Sequence, residues 1–226
     1  MPPRNRSDKT RTSKQGKHEV HPHKVAHEPQ QDRSRRTQEK LFEAAVELLC
    51  EGGKSELAVT ELTRRSGVSV GAFYNLFSDR RELLLAVFEK LRADALAEID
   101  KVVALLRESP ANAIEEVLVT SASGFREKRG ALFRLMQANA IEIPELVERG
   151  NALIEEMALR LAPVIAGATR VKPREAALMS IQLVRALVAT LDHIELFGVD
   201  LRGVADIGKP LTETLIRNAI RGVFVR

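Results

Sequence analysis

The chain has 226 residues, a net charge of +4, 44% hydrophobic residues and only 4% aromatic ones, enough apolar material for a sizeable core. No run reaches the 18 or so apolar residues of a membrane span, and the first thirty residues lack the apolar stretch of a secretory signal, so a cytoplasmic protein is expected. The single cysteine, Cys50, excludes an internal disulfide, and its place in a helical apolar pattern predicts a buried thiol.

Charge is unevenly spread. Residues 1 to 36 carry ten Lys or Arg against four acids, a net +6 that leaves −2 for the other 190 residues. A basic arm on a nearly neutral body suits a polyanionic partner at one end, although a solvated tail has the same composition. Pro2, Pro3, Pro22 and Pro29, with almost no large hydrophobes, predict disorder over 1 to 33. His18, His21, His23 and His27 lie in this arm. Lacking cysteines, carboxylates at ligand spacing or a folded frame, they read as exposed histidines, and no metal or cofactor is expected.

Helical periodicity starts near Thr37, with Leu41, Ala44, Ala45, Leu48 and Leu49 at three- and four-residue steps and a stop at Gly52-Gly53. A short helix over Val59 to Arg65 ends at Gly67, and another starts at Ser69 or Val70 and runs through Phe77. Asp79 with Glu82 predicts a capping box for a long fourth helix whose stripe runs from Leu84 to Leu106. Ser109-Pro110 then predicts a cap and an N1 proline, with helices over 110 to 128, 131 to 140 and 144 to 167. Residues 174 to 197 are apolar on two faces and need cover on both. After a loop from Gly198 to Lys209, a last helix carries Leu211, Leu215, Ile216, Ala219, Ile220 and Val223. The fold class is all-α.

Two short helices around Gly67 make a helix-turn-helix over about 58 to 77, with Leu62, Val68, Phe73 and Phe77 as its shared core. Ser69, Val70, Gly71, Ala72, Tyr74 and Asn75 then face outward. Small residues there let a backbone approach a groove closely, and Ser69 suits a phosphate. Pairs of short helices also occur in bundles that bind no DNA, so spacing alone leaves both readings open.

The segment resembles the TetR/AcrR family of bacterial transcriptional regulators over residues 35 to 94. The resemblance rests on the first helix, Arg36 to Gly53, with its paired alanines, on Gly67-Val68-Ser69, on Gly71 through Phe77, and on Arg80-Arg81-Glu82-Leu83-Leu84. It implies a DNA-binding domain over 34 to 94, and a helical ligand-binding and dimerisation domain over 95 to 226. It implies a homodimer on a palindromic operator, with the second short helix in the major groove and a small-molecule effector. Thr37 and Tyr74 match phosphate-contacting positions, Arg80 a basic residue at the start of the fourth helix, and Val70 to Asn75 the base-facing ones. With Arg36, Thr60 and Ser69 they complete the expected DNA-facing set. The chain departs from the family at Ala58, where Ser or Thr is usual, at Thr63 in place of a small Ala, and at Leu76 in place of a polar residue.

No Gly-rich phosphate loop, nucleophile elbow or metal-ligand spacing is present in the sequence, and no enzymatic activity is expected. Gln137, Asn139, Gln182, Arg185 and His193 are candidates to orient a ligand among the apolar C-terminal helices, although each suits a structural role as well. The resulting expectation is a ligand-released repressor. Its rivals are a helical small-molecule-binding protein or enzyme with a merely structural N-terminal unit, and a DNA-binding protein without a ligand.

Overall fold

A computed structural model describes residues 30–51, 57–198 and 208–224. Regular structure among them is helical throughout: α1 (Gln30–Cys50), α2 (Val59–Ser66), α3 (Val70–Tyr74), α4 (Arg80–Glu108), α5 (Ile114–Asn139), α6 (Pro144–Thr169), α7 (Pro173–Phe197) and α8 (Gly208–Phe224), with a 3-10 turn over Ala111–Ala113. The arm over 1 to 29 and its histidines lie outside the described residues.

Helix α1 starts seven residues before Thr37, so 30 to 33 are helical rather than disordered. The Thr37 hydroxyl donates back to the Arg33 carbonyl at 2.8 Å, a bond that satisfies the side chain within the helix. Leu41, Ala44, Ala45, Leu48 and Leu49 are buried as expected, but Cys50 is exposed. At 100° per residue Cys50 lies 200° around from Leu48, past the edge of the buried stripe. Helix α2 ends at Gly67 in the left-handed conformation, φ +67°. The expected last turn of α3 is absent: the helix stops at Tyr74, and the Leu76 and Phe77 amides both donate to the Phe73 carbonyl at 2.9 Å.

Asp79 caps α4, its Oδ1 accepting from the Glu82 amide at 2.8 Å. Glu82 returns the bond one residue earlier than a capping box does, accepting from the Ser78 amide at 2.6 Å and the Ser78 hydroxyl at 2.7 Å. Ser109 closes α4 instead of opening the next helix, its hydroxyl donating to Leu105 at 2.7 Å. The expected helices over 110 to 128 and 131 to 140 form one helix, α5. Gly130 does not break it, because the segment is fixed by packing. A Cβ at Gly130 would meet Arg134 Nη1 at 3.0 Å, so the glycine leaves room for the Arg134–Glu195 ion pair joining α5 to α7.

Two hydrophobic cores result. The first joins α1, α2 and α3 to the start of α4 through Leu41, Leu62, Phe73, Leu84 and Phe88, and it also takes in Ala131 and Leu135 of α5 and Ile143 and Leu146 around the start of α6. The second fills the space between the rest of α4 and helices α5 to α8. The boundary expected after residue 94 falls inside α4, and the first core crosses it. Along α4 and α6 the pairs Arg81–Glu145, Glu89–Arg149, Arg92–Glu156 and Asp100–Arg160 form a ladder. Each partly exposed rung contributes little stability, but together they set the register of the two helices.

Because the first core is shared, the short helices and the bundle are expected to unfold together. Leu135→Ala, at a fully buried position of α5, is expected to cost about 2–5 kcal/mol and to lower a single denaturation midpoint. Resolved separate transitions for the two halves would contradict this.

Candidate nucleic-acid interface

Helices α2 and α3 form one small unit because their inner faces share a core. Leu62 and Phe73 are fully buried, with Val68 and Phe77 nearly so. The Phe73 ring packs against Phe77 at 5.8 Å, and Phe77 against Phe42 of α1 at 6.3 Å. Thr63 is buried where a small residue was expected, and its hydroxyl donates to the Val59 carbonyl at 2.8 Å. The hydroxyl is thus satisfied inside its own helix, so the bulkier residue fits without an unpaired polar group. Leu76 is half-buried against the same core, and this explains an apolar residue there.

The outer surface is Ser69, Val70, Gly71, Tyr74 and Asn75, all exposed, with Ala72 half-buried. Val70 and Tyr74 expose 48% and 55% of their surfaces, more than core packing requires of them. A Cβ at Gly71 would meet nothing within 4 Å. The fold therefore does not need glycine there, while glycine inside a helix costs about 0.5–1 kcal/mol against alanine. Ser69 caps α3, its Oγ accepting from the Ala72 amide at 3.1 Å, which leaves the hydroxyl hydrogen to donate outward. Thr60 is exposed at the start of α2, and on α1 Arg36 is exposed and Thr37 half-buried.

Arginines on this unit are largely engaged within the protein. Arg64 is bound to Glu61 at 2.5 and 2.8 Å, and Arg65 holds Glu51 at 2.5 and 2.9 Å, tying α2 to the end of α1. Hydrogen bonding from Arg65 holds the Glu51 carboxyl below its ordinary value, and Arg64 does the same for Glu61. Arg80, expected to reach a phosphate, instead turns inward. Its guanidinium donates to the Leu57 carbonyl at 3.2 Å, to Asn139 Oδ1 at 2.5 Å and to Glu142 at 3.2 Å, with 26% of the side chain exposed. The cause is tertiary: the end of α5 packs beside the start of α4, a neighbour that sequence spacing cannot indicate.

The residues expected to orient a ligand are not brought together. Asn139 is buried at the Arg80 junction, and Gln137 is exposed. Gln182, Arg185 and His193 lie on the exposed stripe of α7 with Leu178 and Leu196, and His193 stacks against Phe197 at 4.8 Å. A cavity of about 390 Å³ lies instead between α4, α5, α6 and α7, walled by Val102, Leu118, Phe125, Leu161, Leu187 and Val188, with Ser121, Glu98 and Lys101 as its polar groups. Sequence reading missed it because its walls are ordinary core residues in pattern.

Two effects are expected from this geometry. Ser69→Ala removes the cap of α3 and should cost about 0.5–2 kcal/mol in denaturant titration. Glu51, which joins α1 to α2 through Arg65, and Glu61, which pairs with Arg64 inside α2, are both held below 4.5; each contribution is fully present above that pH and is lost as pH falls through the lowered value. Amide-exchange protection in α2 should therefore fall on acidification below about pH 4.5 in the native protein, and fall less in Arg65→Gln, where the Glu51 pair is already broken.

The comparisons with known proteins agree with this geometry. Residues 41–87 match the family model of bacterial regulatory proteins of the tetR family. A curated relative, the HTH-type transcriptional regulator YvdT of Bacillus subtilis (strain 168), itself uncharacterized, is 31% identical over 61 residues, which span 27% of this chain and 31% of that protein. The match thus covers about a third of the relative's length. Two crystal structures share the fold. One, described as a TetR-family transcriptional regulator from Mesorhizobium loti MAFF303099, superposes with a TM-score of 0.66 at 20% identity, over 85% of this chain and 96% of that one. The other, a transcriptional regulator from Aquifex aeolicus VF5, gives 0.59 at 18% identity over 83% and 99%. The helix-turn-helix of α2 and α3 thus lies within a segment, residues 41–87, that is similar to the DNA-binding domain of the tetR family of bacterial regulatory proteins, and the all-helical fold behind it is the fold of these two solved structures.

Proposed function

We propose that the protein is a sequence-specific DNA-binding transcriptional regulator, a homodimeric repressor released from its operator by a small apolar molecule. The observation that carries this reading is the outer face of α3. Val70, Gly71, Tyr74 and Asn75 stand exposed on a helix whose opposite side, through Phe73, is fully buried. A rigid helix presenting small and hydrogen-bonding residues fits a major groove, where Asn75 can read a base edge and Tyr74 contact the backbone. Arg36 and Thr37 on α1 and Thr60 on α2 supply further positioning contacts. Arg80 acts from within the protein.

The cavity among α4 to α7 supports the effector part of the reading. Its volume of about 390 Å³ and almost wholly apolar wall suit a compact hydrophobic molecule with one hydrogen-bonding group for Ser121. Helix α7 is apolar enough by length and composition to cross a membrane, with a mean hydropathy of 1.3. Here it packs between α6 and α8 and leaves Leu178, Leu196 and Phe197 exposed, an apolar surface that suits contact with a second copy. A cytoplasmic regulator with no catalytic role accounts for these features together.

Selection of duplexes from a random pool tests the reading, and a palindromic winner is the expected result. On that duplex Asn75→Ala is expected to cost roughly 1–3 kcal/mol, with little change on random DNA. Gly71→Ala should weaken binding while leaving the fold as stable as before or slightly more so. A pool that enriches nothing would leave a helical small-molecule-binding protein as the better description.

A further inference from the structure

Helix α2 opens on Ala58, which has no side-chain oxygen to cap it, so its entry must be fixed by other groups. The carbonyl of the preceding residue, Leu57, accepts from Arg80 Nε at 3.2 Å. The same guanidinium donates to Asn139 Oδ1 at 2.5 Å. Asn139 is 1% exposed, and its amide nitrogen donates to the Leu135 carbonyl at 2.9 Å, which turns its oxygen towards Arg80. Three elements thus meet in one arginine: the chain entering α2, the first residue of α4 and the last residue of α5. Helix α5 is also the element that walls the cavity through Leu118 and Phe125 and enters the first core through Leu135.

We propose that the Asn139–Arg80–Leu57 relay is the latch that sets the angle of the α2–α3 unit on the rest of the molecule. Asn139 is then a positioning residue for DNA binding that touches no DNA. The proposal rests on the DNA-binding reading above. Breaking the relay leaves a buried amide oxygen and a backbone carbonyl without their donor, which is disfavoured, so the latch has an engaged state and a released one with little between. Two α3 helices must reach grooves about 34–36 Å apart on one duplex. Loss of a common angle therefore harms binding to two half-sites far more than binding to one.

The test uses the full-length chain, the duplex selected from a random pool and a shorter duplex carrying one half-site. Asn139→Leu keeps the branching at Cγ and removes the acceptor; Asn139→Asp restores an acceptor for Arg80. Asn139→Leu is expected to lower the ratio of full-site to half-site affinity about tenfold, within the usual range for coupled sites, and to speed amide exchange at Leu62 and Thr63 by a similar factor. Asn139→Asp is expected to return both towards wild type. Should Asn139→Leu fail to fold, Arg80→Lys replaces it, since one ammonium cannot span Leu57 and Asn139 together, and the same two changes are expected. Wild-type exchange and an unchanged affinity ratio in these variants would overturn the latch, as would equal losses on both duplexes. If the pool enriches no sequence, the DNA-binding reading falls, and the exchange measurement still decides whether the relay holds α2.

Discussion

Two helices that each serve two cores constrain everything else in this molecule. Helix α4 gives Leu84 and Phe88 to the core under the short helices, and Val103 and Leu106 to the core of the bundle. Helix α5 does the same in reverse, with Val119 in the bundle and Leu135 beneath α1 and α4. Close-packed interiors deform little, so a shift at one end of either helix is carried to the other rather than absorbed. A ladder of arginine–carboxylate pairs ties α4 to α6 along the same length.

The helix-turn-helix is shaped by the same economy of partners. Its arginines are spent on structure: Arg65 fastens α2 to α1, Arg64 is bound to Glu61, and Arg80 and Arg81 face Glu142 and Glu145. What remains on the outer face of α3 is small, apolar or neutral, a surface suited to shape and hydrogen-bond complementarity. The sequence concentrates its net positive charge, +6, in the first 36 positions instead.

The bundle shows why a cavity is hard to recognise from residue types. Its walls are leucines, valines and a phenylalanine that belong to the same faces as the core, and the hollow among them is a matter of helix separation. Phe125 borders this cavity, a smaller one of about 190 Å³ against α6, and an open groove against α1. A single side chain on α5 therefore borders all three hollow spaces.

Local chemistry was legible in the sequence wherever it is settled within a few residues. Gly67 ends α2 because only a left-handed residue fits there, Ser69 and Asp79 cap the helices that follow, and the stripes of α1 and α4 repeat at the helical period. These are contacts of three or four residues' reach, and together with the Gly71 to Phe77 segment they were enough to indicate the family. Tertiary packing decided the rest. Cys50 falls on the face of α1 opposite the buried stripe, Gly130 is kept inside a continuous helix by its neighbours, and Gln182, Arg185 and His193 face outward because the inner side of α7 is taken by the core. Arg80 and Asn139 are 59 residues apart, and nothing in either one's local sequence signals the other. Their pairing exists only because the end of α5 returns to the start of α4, and that return is set by burying Ala131, Leu135, Ile143 and Leu146 in a core whose other members lie between Leu41 and Phe88.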